Sequence, residues 1–244
     1  MNTSGNTVLI TGGGTGIGLA LAEQFINQDN RVIICGRRQA RLLEAQQRIP
    51  QMIIRSCDVS DLHARQDLVA WVTSEYAGLN ILVNNAGIQR RVDFLAGERD
   101  LAEADQEVAT NLVAPIHLSA LLIPHLARQA QAAIINISSG LGFTPLAMIP
   151  VYCATKAAIH SLSLTLRYQL RDTPVRVFEA APPMVPTELS GSRHRPPADE
   201  NTMLPEGVAR GILEAVAQDR YEFALGQAVG LYTQRDALFS MINR

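Results

Sequence analysis

"TVLITGGGTGIGLALAEQF", residues 7–25, reads as a short strand, a glycine-rich turn and the opening turns of an amphipathic helix. The aliphatic run at 7–10 has strand character, and from 19 onward the apolar residues fall at helical spacing. Gly12, Gly16 and Gly18 let the backbone turn sharply and approach a ligand closely. The N–H groups around Thr15, Gly16, Ile17 and Gly18, at the helix N-terminus, suit the negative charge of a pyrophosphate. The spacing departs from GxGxxG, so the turn by itself would also serve as a tight connection without a ligand. Its place between the first strand and the first helix favours the phosphate.

The same rhythm runs on through the chain. Further apolar runs, "RVIIC" (31–35), "MIIRS" (52–56), "NILVN" (80–84), "AAIINIS" (132–138), "VRVFEA" (175–180) and "YEFAL" (221–225), read as strands. Helix-like segments lie near 16–28, 38–48, 60–77, 101–130, 151–172 and 206–218, each long enough to cross over a sheet. The pattern predicts an α/β fold: a single-domain, Rossmann-type, doubly wound parallel sheet of about seven strands with helices on both faces. No linker or repeat divides residues 1–244. The irregular stretch near 181–204, with five prolines, reads as a lid or as a disordered segment. The segment near 227–244, "QAVGLYTQRDALFSMINR", reads as an amphipathic helical extension that covers the pocket, packs on a partner subunit or caps the core.

Bulk properties narrow the classes. A chain of 244 residues, 47% of them hydrophobic, can bury a sizeable core. The N-terminal residues lack a basic region followed by a long apolar one, and no window reaches about 18 consecutive apolar residues, so a soluble, cytoplasmic protein with no membrane span is expected. Cys35, Cys57 and Cys153 are too few and scattered for a disulfide framework or a metal site. A net charge of −2 with mixed-sign segments argues against a nucleic-acid partner.

The ends of the next strands carry more information about a dinucleotide. After strand two, where a carboxylate often binds the adenosine ribose, the chain has "CGRRQ". Arg37 and Arg38 suit a 2′-phosphate and leave no carboxylate to repel it, so NADP(H) is preferred and NAD(H) is the lesser option. An exposed arginine pair opening a helix is the plain alternative. After strand three, Asp58 and Val59 reach the adenine region. Asp58 would accept from the amino group unless it caps the next helix, a task for which Ser60 and Asp61 are better placed. After strand four, Asn85, Ala86 and Gly87 form a polar turn of small residues over which a cofactor can lie.

A second stretch, "PVYCATKAAIH" (150–160), holds the only lysine among 21 basic residues. Lys156 lies four residues after Tyr152, one helical turn on the same face. A compact ammonium there favours the phenolate of a tyrosine whose ordinary pKa, near 10, is too high for easy deprotonation.

TGxxxGIG after strand one, NNAG after strand four, a serine after strand five and YxxxK in the next helix together resemble the short-chain dehydrogenase/reductase family over about residues 7–187. "APPMV" and the chain beyond the last strand look like its DltE-like oxidoreductase subgroup. The resemblance implies an oxidoreductase that interconverts an alcohol and a ketone or aldehyde by hydride transfer. It implies Tyr152 as general acid/base, Ser139 (thirteen residues before it) holding the substrate oxygen, Lys156 on the nicotinamide ribose and Asn111 holding a water chain behind the lysine. Ser138 is then structural. It also implies a homodimer or homotetramer formed through the 101–130 and 151–172 helices. Pro183 stands where the family usually has glycine, yet Pro182, Val185 and Thr187 keep their cofactor places, the last two beside the nicotinamide carboxamide. Gln89, Leu141, Phe143, Met148, Met184 and Leu189 are expected to wall the pocket for a small alcohol or carbonyl, although apolar residues near a core are also simply core. A cofactor sensor without catalysis, or an epimerase or dehydratase acting on a nucleotide sugar, are the alternatives. The intact Ser–Tyr–Lys–Asn set argues against the first, and the short C-terminal part against the second.

Overall fold

The computed structural model describes residues 1–189 and 202–243. Its strands are β1 (Thr7–Thr11), β2 (Arg31–Gly36), β3 (Ile53–Ser56), β4 (Leu79–Asn84), β5 (Ala132–Ile137), β6 (Val175–Ala181) and β7 (Glu222–Ala224). Its α-helices are α1 (Gly16–Ile26), α2 (Gln39–Arg48), α3 (Leu62–Glu75), α4 (Leu101–Val108), α5 (Ala114–Leu126), α6 (Pro150–Gln169), α7 (Pro205–Ala217), α8 (Ala228–Gln234) and α9 (Phe239–Ile242). All strands are parallel, in the order β3-β2-β1-β4-β5-β6-β7.

Alternating strand residues explain the layers. Val8, Ile10, Val32, Ile34, Ile81 and Val83 face one core, where Leu21, Phe25, Leu42, Ile212 and Leu213 of α1, α2 and α7 cover them. Leu9, Ile33, Leu82, Ile134 and Val177 face the other, beneath Leu68 and Val72 of α3 and Leu118 and Leu122 of α5. Cys35, Cys57 and Cys153 are buried free thiols, as a packing role requires.

Two helix readings need correction. The segment expected as one helix over 101–130 is α4, a π-helical turn over Ala109–Val113, and α5, which ends at Leu126. Pro115 supplies the reason: it has no N–H to donate to the carbonyl of Asn111, so the helix widens there and Ala114 bonds to Ala109 instead. Together with a preceding 3₁₀ turn, this run (Phe94–Leu126) holds an 18-residue window of mean hydropathy 1.3, long and apolar enough by composition to cross a membrane, a feature not expected from the sequence. In the fold 44% of that window is buried, as in a core-layer helix. The C-terminal extension is also not one helix, because Arg235 takes φ 48 and separates α8 from a 3₁₀ turn and α9. Of the proposed lid, residues 190–201 lie outside the described residues.

Candidate active site

The strand order reverses between β1 and β4, and the crevice beyond their C-terminal ends is where such sheets bind ligands. Thr11 holds the two tips together: its hydroxyl accepts from the N–H groups of Asn85 and Ala86, both at 3.0 Å, and donates to Val83. The Asn85 amide is bonded to the carbonyls of Thr11 (2.9 Å) and Gly12 (3.2 Å). The Asn85 donors thus hold the glycine turn. The packing is close enough to require glycine at two points. Gly12 has φ +65 with Ala86 Cα 2.8 Å from where a Cβ would stand, and a Cβ on Gly18 would lie 2.4 Å from the Asn85 amide.

A dinucleotide fits this turn. Thr15, at the N-cap of α1, is extended and gives no side-chain acceptor to the first helical N–H groups, so those of Gly16, Ile17 and Gly18 suit a pyrophosphate. Beyond β6 the chain crosses over the strand tips. Thr187 Cγ2 sits 2.9 Å from where Gly16 would carry a Cβ, and the Leu189 carbonyl accepts from the Gln89 N–H at 3.1 Å. Between them Glu188 pairs with Arg38 (2.6 Å) and Arg41 (2.8 Å), while Arg38 also reaches the Thr15 hydroxyl at 3.4 Å. The expectation of no carboxylate near the arginine pair is therefore corrected, because the tertiary fold brings Glu188 to it from 150 residues away. Arg37 is exposed beside them. Asp58 accepts from the backbone N–H and the hydroxyl of Ser60, and Asp61 caps α3, so Asp58 is not the helix cap. Val59 is buried at the same strand end, with its carbonyl held by Arg65. Val185 is buried against the sheet core. The Pro182 carbonyl accepts from Gly140, and Pro183 packs 3.4 Å from the position of a Cβ on Gly226, between β7 and α8. A proline-compatible loop thus replaces the expected glycine turn.

At the other end of the crevice the fold brings Asn111, Ser139, Tyr152 and Lys156 together. The Asn111 amide donates to the Ile88 carbonyl (2.8 Å) and to Thr155 (3.3 Å), while its oxygen accepts from the Ile88 N–H (2.9 Å). Ser139 follows β5, accepts from the Leu141 N–H (3.2 Å) and stands beside Tyr152, whose phenolate it favours. Ser138 bonds back to Ala180, a structural task as expected. The Lys156 ammonium donates to the Ile137 carbonyl (2.8 Å) and lies 5.7 Å from the Tyr152 ring centroid.

Electrostatics correct one expectation. Burial pushes the Tyr152 phenol well above its usual pKa, and the neighbouring Ser139 hydroxyl offsets only part of this. The ammonium does not overcome that desolvation here. Burial likewise pulls Lys156 down to about 8, against the attraction of Glu107 and Glu179. Glu107, which the sequence reading missed, is fully buried on α4 and raised to about 7, chiefly by desolvation.

The predicted pocket wall divides. Leu141 and Leu189, with Leu146, pack against the apolar cluster of Ile149, Tyr152 and Cys153. Met148 lines a cleft of about 570 Å³ together with Arg91, Val92, Asp93, Arg99, Asp100 and Ala147, a lining that includes none of Asn111, Ser139, Tyr152 and Lys156. Met184 is exposed at 66%. Phe143 is not a wall residue, since it packs edge-on at 4.7 Å against both His160 and Tyr232. The Ser139 turn rests on α8: a Cβ on Gly140 would lie 2.8 Å from that of Ala228, and the Thr144 hydroxyl is shared by the carbonyls of Leu231 and Arg235.

Comparison with known proteins agrees with this geometry. The sequence profile described as short chain dehydrogenase matches residues 6–197. Over 248 residues the chain is 47% identical to the protein named uncharacterized oxidoreductase DltE of Bacillus subtilis (strain 168), covering 100% of this chain and 98% of that one. The NADP-dependent 3-hydroxy acid dehydrogenase YdfG of Escherichia coli (strain K12) is 34% identical over 190 residues, 77% of this chain and 76% of that protein. A short chain dehydrogenase from Burkholderia cenocepacia J2315, solved in complex with NADP, superposes with a TM-score of 0.83 at 25% identity, covering 99% of each chain. The chain belongs to the short-chain dehydrogenase/reductase family, where it is DltE-like, and is an NAD(P)-dependent oxidoreductase acting on a small molecule.

Proposed function

We propose that this protein is an NADP(H)-preferring oxidoreductase that interconverts an alcohol and a ketone or aldehyde, with Tyr152 as general acid/base. The observation that carries this reading is the buried Tyr152 phenol beside Ser139, one helical turn from Lys156, whose ammonium lies 5.7 Å from the tyrosine ring. NADPH, when bound, supplies the hydride to the carbonyl carbon. Ser139 and Tyr152 donate hydrogen bonds to the carbonyl oxygen, and Tyr152 passes it a proton as negative charge develops there. A phenol whose pKa is raised by burial stays protonated at neutral pH, which suits an acid. Lys156 stabilises the phenolate left behind, and Asn111 fixes the backbone beside it. In oxidation the same groups act in reverse, with Tyr152 taking the alcohol proton.

The NADP(H) preference is supported by Arg38, which reaches the Thr15 end of the glycine turn, and by the NADP named for YdfG and for the Burkholderia structure. Leu141, Leu146 and Leu189, in one apolar cluster with Tyr152, suit a hydroxy or keto compound with an apolar part. An apolar groove of about 370 Å³ between Phe94, Val108, Leu112, Pro150, Val151 and Ala154 supports a homo-oligomer, which light scattering on the purified protein tests. A carbonyl and alcohol panel followed by NADPH absorbance, with NADH in parallel, tests the activity. Tyr152→Phe should lower kcat by about 10²–10⁴-fold while leaving NADPH affinity nearly unchanged, and a fully active variant would refute the mechanism.

A further inference from the structure

Glu107 is fully buried, and only one of its carboxylate oxygens has a partner. Oε1 accepts from the Arg90 N–H at 3.0 Å, while Oε2 has no partner among the described residues. One turn further along the same helix, Asn111 holds Ile88 by both its N–H and its carbonyl. Two side chains four residues apart therefore grip alternate residues, 88 and 90, of the segment leaving the β4 tip. The groups facing Glu107 come from three elements. Lys156, Tyr152 and Cys153 of α6, which packs against α4, feel its charge, as do Arg90 of the loop and Glu103 of its own helix. The Arg90 guanidinium is drawn to Glu103 at 2.7 Å. Lys156 is buried as well, and Glu179 adds a smaller attraction to that of Glu107.

We propose that Glu107 is a positioning residue for the reaction: its buried carboxylate is the counter-charge of the Lys156 ammonium and ties the 88–90 segment to the helix that carries Asn111. An unpaired buried carboxylate is strongly disfavoured, and so is an unpaired buried ammonium. Each makes the charged form of the other tolerable. The inference rests on the catalytic reading of Lys156, but its physical content can be read without turnover.

Because the chain has a single lysine, protein grown with [ε-¹³C]lysine gives one side-chain resonance, and that resonance reports Lys156 alone. In the wild type it should titrate near 8, with a smaller inflection near 7 as Glu107 ionises. Glu107→Gln keeps an acceptor for the Arg90 N–H and removes the charge. The lysine titration should then move down by about one unit, and the alkaline limb of the kcat/KM profile with it. A folded Glu107→Gln protein with an unmoved lysine titration overturns the proposal. If the variant fails to fold, a wild-type lysine curve without the inflection near 7 overturns it. A shifted titration in a protein that reduces no carbonyl supports the charge pairing and overturns the proposed function instead.

Discussion

Replacing Lys156 by methionine should make the protein more stable while abolishing turnover. The lysine is 5% exposed, and burial lowers its pKa from 10.5 to about 8. At 1.36 kcal/mol per unit, the fold holds this ammonium at a penalty of about 3 kcal/mol near pH 7. The penalty is complete below about pH 8, where folded and unfolded chains both carry the proton. It disappears as the pH rises to 10.5, because over that window only the unfolded chain binds the proton and stability rises with pH. Methionine is unbranched and apolar, so it removes the charge and keeps most of the volume. It also loses the bond to the Ile137 carbonyl, worth about 1–1.5 kcal/mol, and leaves Glu107 to take up a proton, a small cost for a carboxyl already raised to about 7. The net gain at pH 7 is about 2 kcal/mol, a rise in Tm of roughly 4–8 °C for a domain of this size. Thermal unfolding followed by circular dichroism at pH 7 and pH 10.5, with no cofactor added, measures it. A variant less stable than the wild type at pH 7, or equally stabilised at both pH values, would refute the reasoning.

Three other substitutions test the rest of the site. Asn111→Ala leaves the buried N–H and carbonyl of Ile88 without partners and should destabilise by about 2–4 kcal/mol in urea unfolding, and a loss below about 0.5 kcal/mol would contradict the role given to this side chain. Gly18→Ala drives a Cβ to 2.5 Å from the Gly12 carbonyl, so stability should fall by about 1–3 kcal/mol and NADPH affinity with it, both readable by calorimetry. Glu188→Gln removes the carboxylate that competes for Arg38. The KM for NADPH should fall by roughly 3–10-fold and that for NADH should stay put, whereas equal changes would show that Arg38 does not discriminate.

Which of these features a reader of the sequence could have foreseen depends on how local their cause is. The strands and their crossover helices follow from alternation and helical spacing within windows of about ten residues, and the glycine turn follows from its place after β1. The Tyr152–Lys156 pair is equally local, being one helical turn. Glu107 was not legible because "EADQEVATN" looks like a solvated helix face, and only packing against α6 shows that this carboxylate is inside. Glu188 was missed because its pairing with Arg38 joins two loops from opposite ends of the sheet order. Phe143 follows Ser139 closely enough to suggest a pocket wall, yet its direction is set by His160 and Tyr232, which arrive from other elements. The π-helical turn did have a local signal in Pro115, which cannot complete the helical bond to Asn111.

The support that α8 gives to the Ser139 turn has a consequence in time. Thr144 bonds to carbonyls 87 and 91 residues further along the chain, and contacts of such sequence separation close late in folding. During translation the ribosome delivers Asn111, Ser139, Tyr152 and Lys156 well before it delivers Ala228 and Leu231. A nascent chain therefore holds every reactive side chain while the serine turn still lacks the surface it rests on, and competence for the reaction waits for the segment beyond β7.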